Sequence, residues 1–259
     1  MRIGLCSDLH LEGRAQDFTI PDDLDVLFIA GDIHVGLAGM EWAATLKQKC
    51  IIYPFGNHEY YHHDFNRLNK LAEATALDMR ESDKSQIYVA GPEPKTLSLG
   101  DKKIIYCTLW TDYMFNGEEN QDICMLLSAK ALNDHRIIQV GDRLFTTEDA
   151  LQYNQIAKNY IMDAVKEHGR ENCIVVTHHS PSGININPKF AGDMLNGAFH
   201  NDWSEWINDN GPALWCYGHT HWDVDFTLGD TRIVSRQRGY RRERAANGQD
   251  EFEVAVIEI

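Results

Sequence analysis

Six short apolar runs, each breaking off into a polar cluster, constrain this 259-residue chain more than any other feature. They fall at residues 3–6, 26–30, 51–55, 104–109, 174–177 and 214–217, and are rich in β-branched and aromatic side chains. Runs of that length with glycine or polar residues behind them predict strands buried on both faces. Between them lie helical periodicities. Phe65, Leu68, Leu71, Ala72, Ala76 and Met79 form one stripe; Ala150, Tyr153, Ala157, Tyr160, Ile161, Ala164 and Val165 form another. Glu148 and Asp149 mark the start of the second helix and His168-Gly169 its end. Residues 223–228, 231–235 and 252–259 read as consecutive strands, with turns at Gly229-Asp230 and Asn247-Gly248. The pattern predicts an α/β core that opens with βαβ units and closes on a β-meander. Without repeats or a flexible linker, residues 1–259 are expected to form a single domain. Residues 114–119 and 178–201 are long connections, a common place for function.

The polar clusters at the strand ends carry the chemistry. Asp8-Leu9-His10 follows the first strand, Gly31-Asp32 the second and Gly56-Asn57-His58-Glu59 the third. Asp8 and Asp32 are 24 residues apart and Asp32 and Asn57 are 25 apart, the length of a strand, a helix and a return strand. In an open α/β sheet that spacing puts all three turns at one edge, beyond the carboxyl ends of the strands. Later strands end in His178-His179 and Gly218-His219-Thr220-His221. Extended residues at i and i+2 point the same way, so Asp8 with His10, and His219 with His221, are expected to share a side. Each cluster alone is an ordinary surface motif, and Asn57 alone reads as a helix cap. The five together predict a metal site.

Composition narrows what such a site serves. Lys plus Arg minus Asp plus Glu is 24 − 39 = −15, which opposes a long nucleic-acid duplex or an anionic membrane as partner. No run reaches the roughly 18 apolar residues of a membrane span, and the first residues turn polar too early for a signal peptide, so a cytoplasmic location is expected. The six cysteines contain no CxxC pair and are expected as buried reduced thiols.

Asp8-Leu9-His10, Gly31-Asp32, Gly56-Asn57-His58-Glu59, His178 and Gly218-His219-Thr220-His221, in this order over residues 8–221, resemble the signature of the calcineurin-like metallophosphoesterases. The resemblance implies a four-layer α/β/β/α sandwich of two mixed β-sheets flanked by helices. It further implies two divalent ions, one held by Asp8, His10, Asp32 and His221, the other by Asp32, Asn57, His178 and His219, with Asp32 bridging. Oxygen and nitrogen ligands without thiolate suit Mn²⁺, the expected ion, as well as Fe, Zn²⁺ or Ni²⁺. Two such ions roughly 3.5–4 Å apart lower the pKa of a bridging water, so that a metal hydroxide attacks phosphorus in line. By the same resemblance His58 stabilises the transition state or protonates the leaving oxygen, a role worth about 10²–10⁴-fold. Glu59, where many relatives carry aspartate, orients it.

Ile33-His34-Val35-Gly36 lacks the Asp-Arg-Gly of phosphoprotein phosphatases, and His58 differs from the arginine of lipid A precursor pyrophosphatases. The chain resembles small single-domain bacterial or phage members through Thr108-Leu109-Trp110-Thr111-Asp112, Asn133-Asp134-His135-Arg136, His178-His179-Ser180-Pro181, Phe190-Ala191-Gly192-Asp193 and Arg238-Gly239-Tyr240. The expected activity is hydrolysis of a small nucleotide-like phosphodiester. A phosphomonoesterase and a non-catalytic interaction scaffold are the alternatives. His135, Arg136 and Arg238 are candidate substrate-binding residues, and Trp110, Tyr113 and Phe115 candidate base-stacking ones. The cluster Arg236, Arg238, Arg241, Arg242 and Arg244 reads as a solvated turn or as an anion clamp near the site mouth.

Overall fold

The computed structural model describes residues 1–82, 86–246 and 251–259. In chain order the elements are β1 (Arg2–Cys6), β2 (Val26–Ile29), α1 (Ala38–Ala43), β3 (Ile51–Pro54), α2 (Phe65–Glu81), β4 (Ile87–Ala90), β5 (Lys95–Leu99) and β6 (Lys102–Cys107). They continue with α3 (Gln121–Ala131), α4 (Asp134–Ile137), the short β7 (Gln139–Val140) and β8 (Arg143–Leu144), α5 (Thr147–His168) and β9 (Cys173–Thr177). The last are α6 (Ser204–Asn210), β10 (Leu214–Tyr217), β11 (Val224–Leu228), β12 (Thr231–Ser235), α7 (Arg241–Ala246) and β13 (Ala255–Glu258).

Two large mixed sheets organise the molecule, in strand orders β13-β1-β2-β3-β4 and β11-β12-β10-β9-β6-β5. Alternate side chains of each strand go to opposite faces, which sorts the apolar residues into three layers of core. Leu27, Ile29, Ile51 and Tyr53 pack with Met40 of α1 and Phe65, Leu68 and Ala72 of α2 on one side of the first sheet. Ile3, Leu5, Val26 and Phe28 meet Ile104, Ile174, Cys216 and Val234 between the sheets. Ile105, Val175, Trp215 and Ile233 pack with Ala157 and Ile161 of α5 and Ile207 of α6 on the far side. This is the expected α/β/β/α sandwich.

Both helical stripes form helices where expected. Asp64 caps α2 by accepting from Arg67 N, while Thr146 and Asp149 close a reciprocal capping box at α5, which ends at Gly169 with φ of 84°. Asn57 caps no helix through its side chain and is free for another task. The expected closing meander is corrected. β11 and β12 form an antiparallel pair, but β13 leaves them and pairs antiparallel with β1 in the other sheet. Met1 and Ile259 are hydrogen-bonded there, N to O, at 2.6 Å. The turn expected at Asn247-Gly248 lies outside the described residues. All six cysteines are buried and free, and among the described residues no helix is long and apolar enough to cross a membrane.

Candidate metal centre

Parallel strands β1, β2 and β3 of one sheet and β9 and β10 of the other deliver their C-terminal turns to one place. The turns are stitched together: Asp8 N donates to Gly31 O at 3.0 Å, His10 N to Asp32 O at 3.1 Å and Gly218 N to His178 O at 2.9 Å. Asp8, His10, Asp32, His219 and His221 all have positive φ, between 44° and 71°. Convergence at i and i+2 therefore comes from left-handed turns and not from extended chain, a correction to the alternation argument. Left-handed backbone at non-glycine residues costs on the order of 1–3 kcal/mol each, and such strain concentrates at functional sites. Gly56 is glycine for space, since a Cβ there would lie 2.1 Å from Asp32 Oδ1 and 2.6 Å from His178 Cε1.

The donor groups form clusters with the chemistry to hold a cation. His178 Nδ1 donates to Ala30 O at 2.7 Å, which leaves its Nε2 as a bare lone pair. That lone pair faces Asn57 Oδ1 at 3.1 Å, His219 Nδ1 at 3.1 Å and Asp32 Oδ1 at 3.4 Å. The amide of Asn57 is held in this sense because its Nδ2 donates to Asp134 Oδ1 at 2.8 Å and to Tyr61 Oη at 3.0 Å. The two oxygens and the His178 lone pair, all acceptors crowded this closely, repel one another unless a cation lies among them. On the other side His10 Nε2 and His221 Nε2 are 3.0 Å apart, and His221 Nε2 is 3.4 Å from Asp8 Oδ1. Asp8 itself accepts from Ser7 Oγ and from His219 N. Asp32 stands between the two groups and also accepts from His58 N at 2.9 Å.

The two halves differ electrostatically. Burial pushes the His178 and His219 imidazolium pKa values down, so both rings are neutral and ready to coordinate. Burial also lowers His221, but the Asp8 and Glu243 carboxylates outweigh it and raise the group to about 10. Burial would raise Asp8; the bond to His221 and the surrounding histidine charges hold it well below the usual carboxylate range.

His58 lies at the edge of this cluster, its Nε2 3.9 Å from Asp32 Oδ2. Its Nδ1 is bonded not to Glu59 but to Glu12, at 3.1 Å, and the same Glu12 oxygen is 3.1 Å from His10 Nδ1. One carboxylate thus sets the ring of a candidate ligand and of the candidate acid, and turns both Nε2 atoms inward. Burial opposes protonation of His58, but Asp32 and the bond to Glu12 carry its pKa up to about 9. Glu59 is buried and accepts from Ile33 N at 2.8 Å, Asp32 N at 3.1 Å, Gly56 N at 2.7 Å and Tyr53 Oη at 2.6 Å. It fastens the second strand end to the third and does not orient His58, which corrects the expectation for that residue. Glu12 was missed, although its place two residues beyond His10 continues the Asp8-x-His10 spacing.

A pocket of about 430 Å³ opens from the cluster, lined by Asp32, Asn57, His58, His219 and His221 at its base. Its walls come from the 178–201 connection, through Ile186, Lys189, Phe190, Asp193 and Phe199, from Leu132 to Asp134, and from Tyr240 and Glu243. The second long connection, residues 114–119, contributes none of the lining. The outer candidates do not gather here. Arg238 is fully buried, its guanidinium donating to Leu9 O, Ala15 O and Asp17 Oδ1, so it cannot bind substrate. His135 is buried against Phe145 with Nδ1 3.2 Å from Phe145 O, and Arg136 is exposed and absent from the pocket wall. Of that motif Asn133 and Asp134 line the pocket, and Asp134 also holds Asn57. Trp110 and Tyr113 belong to the core and Phe115 lies outside the pocket lining, which removes all three as base-stacking surfaces.

The calcineurin-like phosphoesterase family model matches residues 1–223. The uncharacterized protein L509 of Acanthamoeba polyphaga mimivirus is 27% identical over 271 aligned positions, covering 92% of this chain and 91% of that one. Among solved structures, the phosphopantetheinyl hydrolase of Mycobacterium tuberculosis superposes with a TM-score of 0.67 over 94% of this chain and 91% of its own. At 16% identity that likeness speaks to the fold alone.

Proposed function

We propose that this chain, which belongs to the calcineurin-like phosphoesterase family, hydrolyses a small phosphodiester at a centre built for two divalent ions. Membership makes it a phosphoric ester hydrolase with candidate metal clusters; the diester, the pair of ions and the residue roles are our reading. The observation that carries it is the crowding of Asn57 Oδ1, Asp32 Oδ1 and the His219 ring around the bare His178 Nε2, beside the second group of Asp8, His10 and His221. Asp8, His10, Asp32 and His221 would hold one ion, and Asp32, Asn57, His178 and His219 would hold the other. When bound, the ions supply Lewis-acid polarisation of the ester and activation of water. Mn²⁺ is the ion we expect.

The chain's own groups do the rest. His58, charged at neutral pH and oriented by Glu12, gives the proton on Nε2 to the leaving oxygen as the P–O bond breaks. Asp134 and Tyr61 hold Asn57, and Ala30 O holds His178, so that neither of these two ligands rotates away. Among the described residues the pocket wall offers one lysine, Lys189, against Asp134 and Asp193, while the charge of Glu243 is paired with His221. That balance favours a singly charged diester over a dianionic monoester. The whole of residues 1–259 acts as one catalytic unit on a small ester. The net charge of −15 argues against long duplex nucleic acid, and the buried free thiols fit the cytoplasm.

The test uses the purified protein with Mn²⁺, bis(p-nitrophenyl) phosphate and p-nitrophenyl phosphate, and Asp32→Ala as control. The expected result is diester turnover exceeding monoester turnover and abolished in the variant. Turnover no greater than that of Asp32→Ala would return the chain to the scaffold reading, and a monoester preference would refute the diester.

A further inference from the structure

The arginine-rich segment makes sense once its side chains are sorted by direction. Arg238 and Arg244 point inward, the first onto Leu9 O, Ala15 O and Asp17, the second onto Gln237 O and Glu251 O. The backbone between them is tied to the first strand end, with Arg238 N on Ser7 O at 3.0 Å and Gly239 N on Asp8 O at 2.9 Å. Gly239, at φ 57°, then turns the chain over His221, where a Cβ would lie 3.2 Å from that ring. Glu243 secures the turn by accepting from His221 Nδ1 at 2.5 Å and Tyr240 N at 3.3 Å.

Tyr240 sits at the apex of this anchored turn. Its ring stacks on His10 at 4.5 Å and meets His221 edge-on at 4.9 Å. Its hydroxyl is 3.4 Å from His58 Nε2, on the pocket wall, and the residue is 45% exposed. A hydroxyl whose contact is a long one to the nitrogen that faces substrate is placed to share an oxygen with that nitrogen. We propose that Tyr240 is a catalytic residue: its hydroxyl donates a hydrogen bond to the leaving oxygen that His58 protonates, stabilising the charge that builds there. The inference rests on the phosphodiesterase reading above. Its chemistry adds no new covalent step, because the phenol keeps its proton throughout and only the hydrogen bond shortens as charge develops.

Tyr240→Phe tests it, since phenylalanine keeps the ring over His10 and removes only the hydroxyl. Methyl phenyl phosphate and methyl 4-nitrophenyl phosphate differ only in the leaving group, and the first needs far more help. With Mn²⁺, the variant is expected to bind the same metal as the parent by elemental analysis. It should lose roughly ten- to a hundredfold in kcat/KM on the phenyl ester and about threefold or less on the nitrophenyl ester. Equal losses on the two esters, no loss on either, or loss of metal would overturn the role of Tyr240 while leaving the hydrolase reading intact. Absence of Mn²⁺-dependent turnover of either ester by the parent protein would overturn both.

Discussion

At the scale of single residues, the distinction between Glu12 and Glu59 decides how the centre works. Both are acidic and both lie close in sequence to a ligand, yet Glu12 bonds the rings of His10 and His58 while Glu59 accepts four donors from the turn backbones and Tyr53. Glu12→Gln removes the charge that orients two imidazoles, so metal affinity or turnover is expected to fall about 10–100-fold. Titrating turnover against Mn²⁺ separates the two, and a variant with parental values at every metal concentration would show that Glu12 supports neither ring. The seven candidate ligands were legible because their types and spacing survive in the sequence. The Glu12 contact was not, because it depends on left-handed turns at Asp8 and His10 that residue type alone does not announce. Arg238 misleads for a related reason: a guanidinium reads as an anion site until the carbonyls of Leu9 and Ala15 are seen to fill it.

At the scale of elements, strand ends matter more than strands. The runs that form β1, β2, β3, β6, β9 and β10 announced themselves because strands buried on both faces are apolar throughout. β13 did not reveal its partner, since a strand at residues 255–258 pairs as well in pattern with β12 nearby as with β1 across the molecule. The turns are held by Glu59, so Glu59→Ala leaves Tyr53 Oη, Gly56 N, Asp32 N and Ile33 N without their acceptor. Loss of a buried, hydrogen-bonded carboxylate of this kind costs about 3–5 kcal/mol. In a chain of this size that lowers Tm by on the order of 10 °C, measurable by calorimetry in the metal-free protein. A Tm within about 2 °C of the parent would mean that water replaces the carboxylate and that the clamp is dispensable.

At the scale of the whole molecule, two sheets from distant parts of the chain divide the donors, four to one and three to the other. β1 to β3 carry Asp8, His10, Asp32 and Asn57 at their ends, while β9 and β10 carry His178, His219 and His221. The α/β class was legible from periodicity, but the packing of one sheet on the other came from resemblance, because no local pattern states which apolar faces meet. The central claim is that these two groups meet around two ions with Asp32 common to both. Elemental analysis of protein loaded with Mn²⁺ and freed of excess tests it most directly. The account predicts two ions per chain in the parent and fewer in Asp32→Ala, with both proteins equally folded by circular dichroism. One ion or none in the parent, or two ions retained in Asp32→Ala, would contradict it.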